Sequence, residues 1–202
     1  MQQMMENCRR KAKVLATTSG KGGVGKTNIA ANPAICLAAS RKKGLLFDAD
    51  LSLANLDIVI GLNSKYNISH MINGRKSLED IIHIGLEGLE VICGASGLEE
   101  LANTSEFQRQ RLLRELSRLQ DNADAIVIDT AAGISKSVIA FCLAADHVLV
   151  VTTPEAAAIT DAYAMIKVLV GNRFTGRISL VVNMAKTTAE GRKTYRQIAE
   201  RC

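Results

Sequence analysis

Lys21, Lys26, Thr27 and Asp129 are the residues of this 202-residue chain whose types and surroundings could bind and transfer a phosphoryl group. The run Gly20-Lys21-Gly22-Gly23-Val24-Gly25-Lys26-Thr27 satisfies G-x-x-x-x-G-K-[ST]. It follows the apolar, strand-like Val14–Thr18 and precedes the helix-forming Ile29-Ala30-Ala31, which is the context a phosphate loop requires. Glycines at 20, 22, 23 and 25 let the backbone curl so that successive N–H groups converge on an anion, and the dipole of the following helix adds positive potential there. Lys26 is placed to reach the terminal phosphates as a point charge, and the Thr27 hydroxyl to ligate Mg²⁺.

Two further strands end in acid. Leu45-Leu46-Phe47 runs into Asp48-Ala49-Asp50, and Ala125-Ile126-Val127-Ile128 runs into Asp129. A carboxylate at the C-terminal end of a strand beside a phosphate loop lies where a parallel α/β sheet places its site. The second run is wholly apolar, as a buried parallel strand requires, and Asp129 is expected to hold Mg²⁺ through water. Capping or loop solvation is the alternative reading of Asp48 and Asp50, and it suits Asp57 better than Asp50.

An ordinary phosphate loop does not need Lys21. With it, Lys21-Gly22-Gly23-Val24-Gly25-Lys26-Thr27 resembles the deviant phosphate loop of the MinD/ParA superfamily. Asp48-Ala49-Asp50-Leu51-Ser52-Leu53-Ala54-Asn55-Leu56-Asp57, Gly94-Ala95-Ser96-Gly97 and Val182-Asn183-Met184-Ala185 are similar to segments of its FlhG/MinD group. The resemblance implies that Lys21 reaches across a dimer interface to the partner's phosphates, as an arginine finger does in trans. It implies that Asp50, in the first switch segment, orients the attacking water and lies near Mg²⁺. Thr130–Ser135 then corresponds to the second switch segment, with the Gly133 N–H sensing the γ-phosphate. Asn28 follows Thr27 in the nucleotide site, and Asn183 contacts adenine, although an asparagine ending a strand is also an ordinary turn residue. The implied activity is slow ATP hydrolysis, stimulated by dimerisation or a protein partner, in an ATP-dependent homodimer. Such a switch sets the position or number of a cellular structure such as flagella or the division site. In this group a C-terminal amphipathic helix binds membrane, so membrane contact is expected only where a longer chain supplies that helix.

These residues need a three-layer α/β sandwich with a mainly parallel sheet, ending before the final strand and helices of the resembled group. The expected organisation is one P-loop ATPase domain over 1–202, with 1–13 as a flexible basic lead-in. The helix after the loop should run to about Ala39 and kink at Pro33, which removes a hydrogen bond at a cost of about 3 kcal/mol in a regular helix. Arg41-Lys42-Lys43-Gly44 suits a helix end. Ser77–Ile82 reads as a capped helix start. Leu89–Cys93, His147–Thr152 and Ile178–Asn183 read as strands, and Ala156–Val170 as a helix. Glu106–Gln120 reads as a helix with Phe107, Leu112, Leu113, Leu116 and Leu119 on one face and Arg109, Arg111, Arg114 and Arg118 solvated. Thr188–Cys202 places Tyr195, Ile198, Ala199 and Cys202 on one face, expected to pack on the sheet. His70 and His83 stand alone and read as structural.

Composition excludes several classes. At 48% hydrophobic and 22% charged residues the chain can bury a sizeable core, and its longest apolar runs are too short to span a bilayer. Its first 13 residues lack the apolar segment of a secretory signal, so the expected location is the cytoplasm, with the inner face of the cell membrane as a peripheral alternative. Five scattered cysteines without a C-x-x-C pair fit reduced thiols, which argues against an iron–sulfur carrier of the Mrp or nitrogenase-reductase type. The net charge of +5 permits DNA contact of the ParA kind without requiring it, and 3% aromatic content disfavours a base-stacking platform.

Overall fold

The structure is a computed structural model and describes residues 11–50, 54–95 and 106–201. The lead-in through Arg10, Leu51–Leu53 of the first switch segment, Ser96 and Gly97, the side chains of Phe107 and Arg109, and Cys202 lie outside the described residues. In chain order the elements are β1 (Lys13–Ser19), α1 (Lys26–Ala39), β2 (Gly44–Ala49), α2 (Leu56–Ile60), α3 (Ile68–Ile72), β3 (Ile82–Ile84), β4 (Glu90–Ile92), α4 (Glu106–Leu119), β5 (Ala125–Ala132), α5 (Lys136–Leu143), β6 (His147–Thr152), α6 (Ala156–Gly171), β7 (Arg177–Val182) and α7 (Thr188–Ala199). The strands form one seven-stranded sheet in the order β3-β4-β2-β5-β1-β6-β7, parallel throughout except for β3, which runs antiparallel to β4. This is the mainly parallel α/β sheet expected from the sequence.

The central strands are buried along most of their length because both sheet faces are covered. One face carries the larger core, in which Phe47 and Phe141 meet edge-on at 5.6 Å between ring centroids. The other is covered by α1, whose Ala30, Ala31, Ala34 and Ala38 let the helix lie close on Leu46, Val91 and Val127. As expected from the sequence, the helix runs to Ala39 with Pro33 inside it, and buried alanines on both sides of the proline hold it against the sheet. Packing of this kind outweighs the local cost of the missing N–H.

Departures from expectation are local. Arg41, not Gly44, takes the left-handed conformation after α1 (φ 59°), and Gly44 is the first residue of β2. Ser77 and Asp80 exchange the two hydrogen bonds of a helix start, but only a single 3₁₀ turn, Glu79–Ile81, follows before the chain enters β3. On α7 the buried side chains are Thr194 and Ile198, whereas Tyr195, expected on the same face, is exposed. His70 caps α3 with Asn67, and His83 bonds the Tyr66 carbonyl, so both are structural. Among the described residues no helix is long and apolar enough to cross a membrane.

Candidate functional site

β1 and β5 are neighbours, so the loop leaving β1 and the acid on β5 arrive at the same edge of the sheet, with Thr17 level with Asp129. The loop between Ser19 and Lys26 is held at Gly20 and at Val24. The Val24 side chain is 3% exposed, packed against Val151 and Ala158. Gly20 lies so close to α6 that a Cβ there would come within 2.5 Å of Asp161. Gly23 and Gly25 have φ of +77° and +86°, a conformation that side chains disfavour and that turns consecutive N–H groups toward one point.

Lys26, the first residue of α1, extends its ammonium to 3.0 Å from the Asp129 carboxylate. The Lys26 and Asp129 side chains are only 11% and 2% exposed. Burial raises the Asp129 pKa, while the Lys26 charge and a hydrogen bond from Thr27 oppose that rise. The Asp50 charge also acts on Asp129, which puts the two acids in one electrostatic neighbourhood. Thr27, Asp129 and Asp50 are hard oxygen donors of the kind Mg²⁺ takes with water and phosphate completing its shell. Among the described residues there is no cluster of three or more His, Cys, Asp or Glu that could hold a metal ion.

Asp48 was given no role in the site by sequence, and the structure gives it a distinct place. It is 1% exposed and level with Asp129 in the β2–β5 ladder. Its two oxygens accept the N–H groups of Asp50 at 2.9 Å and Leu56 at 3.3 Å, so it braces both ends of the loop that carries Asp50. Burial pushes its pKa up to about 7, its two backbone donors acting in the opposite direction. A carboxyl whose folded pKa exceeds its unfolded value binds its proton more tightly when folded, so its contribution is full below about pH 4 and is lost as pH rises toward 7. In metal-free protein, the unfolding free energy of wild type minus that of Asp48→Asn should therefore decline from pH 4 to pH 7, measured by urea unfolding at each pH.

Three groups, two of them side chains and one a backbone N–H, are engaged within the chain in ways that no local pattern announces. The Lys21 ammonium pairs with Glu155, just before α6. The Gly133 N–H donates to the Ser19 carbonyl at 2.8 Å, linking the turn after β5 to the start of the phosphate loop. The Asn183 amide donates to the Val24 carbonyl at 2.9 Å. Beside the loop, Gly22, Gly23 and Val24 face Thr153, Pro154, Glu155 and Met184 across a cavity of about 400 Å³.

A glycine-rich loop between β1 and α1, with an aspartate of the neighbouring strand against its lysine, defines a P-loop nucleotide-binding protein of the parallel α/β type. Known proteins agree. A family described as "AAA domain" matches residues 12–175. The antiactivator FleN of Pseudomonas aeruginosa is 41% identical over 187 residues, covering 93% of this chain and 67% of FleN. The flagellum site-determining protein YlxH of Helicobacter pylori is 42% identical over 186 residues, covering 92% of this chain and 63% of YlxH. The MinC:MinD cell division protein complex of Aquifex aeolicus superposes with a TM-score of 0.77 at 30% identity, over 94% of this chain and 77% of that one. This chain thus spans about two thirds of the length of the two flagellar relatives. It belongs to this AAA-domain family and, within the MinD/ParA superfamily of P-loop ATPases, to the FlhG/MinD group.

Proposed function

We propose that this chain is an ATP-hydrolysing switch that dimerises when it binds ATP. The observation that carries the reading is Lys21, a second lysine on the phosphate loop, whose ammonium pairs, among the described residues, with the exposed Glu155. In this reading the triphosphate lies in the cradle of Gly20 to Thr27, with Asn28 behind it, and Lys26 turns from Asp129 to the β- and γ-phosphates. Thr27, Asp129 and Asp50 would hold Mg²⁺, which when bound neutralises phosphate charge. Asp50 orients the attacking water. An aspartate is a weak base, but phosphoryl transfer is mostly positioning and electrostatics, so orientation suffices and turnover is slow. Lys21 leaves Glu155 and places its charge on the partner subunit's phosphates, so two chains complete each site. Binding of the γ-phosphate would require the Gly133 N–H to exchange Ser19 for phosphate, which couples the second switch segment to the nucleotide.

The relatives named for flagellar placement and for cell division support a role in positioning or counting a cellular structure, read out by a protein partner that recognises the dimer. The proposed location is the cytoplasm, with recruitment to the inner face of the membrane requiring a membrane-binding element outside residues 11–201.

Light scattering with ATP tests the switch. Asp50→Ala, which binds ATP without hydrolysing it, should be a stable dimer, and a monomer with ATP bound would sink the proposal. In the same titration Glu155→Ala should dimerise at lower ATP, by up to about fivefold, because an exposed ion pair restraining Lys21 is worth at most about 1 kcal/mol.

A further inference from the structure

We infer that the Ser19 hydroxyl is a positioning group for Lys21, holding the backbone from which that lysine reaches a partner subunit's phosphates; this rests on the reading that Lys21 acts in trans. Ser19 is the last residue of β1 and is fully buried. The β1–β5 register slips by one residue there, with Thr17 level with Asp129 and Ser19 level with Ala132. An irregularity of this kind re-aims side chains beside a site. The Ser19 hydroxyl donates to the Lys21 carbonyl at 2.9 Å, and the Ser19 carbonyl accepts the Gly133 N–H at 2.8 Å. A serine has one O–H, so in this arrangement Ser19 has no side-chain donor left for a nucleotide.

The use of that bond follows from what lies on either side of Lys21. Before it, Gly20 sits against Asp161 of α6 with no room for a side chain. After it, Gly22 and Gly23 are exposed, and a Cβ at either would meet no described atom within 4 Å. Two consecutive glycines without lateral contacts leave the chain loose up to Val24, the next residue held by packing. The Ser19 hydroxyl fixes the planar peptide that joins Lys21 to Gly22. With Gly20 held as well, the backbone of Lys21 is fixed from both sides, and so is the direction in which its side chain leaves. The ammonium can then exchange Glu155 for a phosphate by side-chain rotation about a fixed backbone. Less freedom is lost when it docks, and its charge arrives where the transition state needs it.

Complementation between chains locates the effect. A dimer of one Lys21→Ala chain with one Asp50→Ala chain holds a single complete site, and its lysine comes from the Asp50→Ala chain. Adding Ser19→Ala to the Asp50→Ala chain should lower steady-state phosphate release by the mixture about fivefold to tenfold, the effect of one lost hydrogen bond. Adding Ser19→Ala to the Lys21→Ala chain should change it by no more than about twofold, because the lysine to be positioned is already gone from that chain. Equal losses from the two placements, the reverse pattern, or no loss from either would overturn the inference. A mixture that is inactive before Ser19 is changed would instead defeat the reading of Lys21 in trans. The positioning itself has a readout independent of turnover, ¹⁵N relaxation of ligand-free Ser19→Ala. The order parameters of the Lys21 and Gly22 amides should fall below those of wild type while those of Gly25 and Lys26 hold, and unchanged values at Lys21 and Gly22 contradict the inference.

Discussion

Lys26→Ala is expected to lose ATP binding by at least about a hundredfold, the scale on which removing one partner of a buried charge pair acts. Its ammonium is the single charge on the loop that is both nearly buried and next to the acid of β5. In water such a charge would be screened, but in a site where Asp129 is 2% exposed it keeps most of its effect on a polyanion. The variant also leaves Asp129 without its cation. Burial already raises that carboxyl's pKa and Lys26 is the largest influence opposing the rise, so the substitution pushes it further up. Breaking a buried pair costs about 3–5 kcal/mol, and the ligand-free protein should lose stability on that scale. Lys26→Ala combined with Asp129→Asn removes the stranded charge, so it should regain stability in urea unfolding while calorimetry still finds no ATP binding. Recovery of binding together with stability would mean that Lys26 serves the fold alone.

Lys21→Ala should have the opposite profile. Lys21 is one third exposed and its partner Glu155 is more exposed still, so removing it costs little stability and little monomer affinity for ATP. Turnover should nevertheless fall by about 10³-fold or more, the scale of a charge supplied in trans to a phosphoryl-transfer transition state. Phosphate release and nucleotide binding measured on the same preparation separate these outcomes. A parallel fall in binding and turnover would mean that Lys21 is a ground-state phosphate ligand of its own chain.

Much of this site was legible in the sequence because its parts are local. Four glycines before Lys26 and Thr27 specify a curled backbone and the start of a helix over eight residues, and an apolar run ending in Asp129 specifies a central strand and its tip. Other parts were not legible, because they depend on which strands become neighbours. No spacing rule pairs Lys21 with Glu155, the Asn183 amide with Val24 or the Gly133 N–H with Ser19; each link exists only once β1, β5, β6 and β7 lie side by side. Asp48 was ambiguous for the same reason, since its brace on Asp50 and Leu56 requires the loop after β2 to fold back over the strand end. The span of α1 through Pro33 to Ala39 was legible, and the alanine contacts that hold it on the sheet were not. The run after Ser77 has the start of a helix and a continuation that pairs with β4, and the pairing prevails.

The central claim is that each site takes its Asp50 from one chain and its Lys21 from the other. Mixing two inactive variants, Lys21→Ala and Asp50→Ala, tests it by steady-state phosphate release. Random pairing makes half of the dimers mixed, and each mixed dimer holds one site with its own Asp50 and the partner's Lys21, so the mixture should recover roughly a quarter of wild-type turnover. A mixture as inactive as its two components would contradict the shared site.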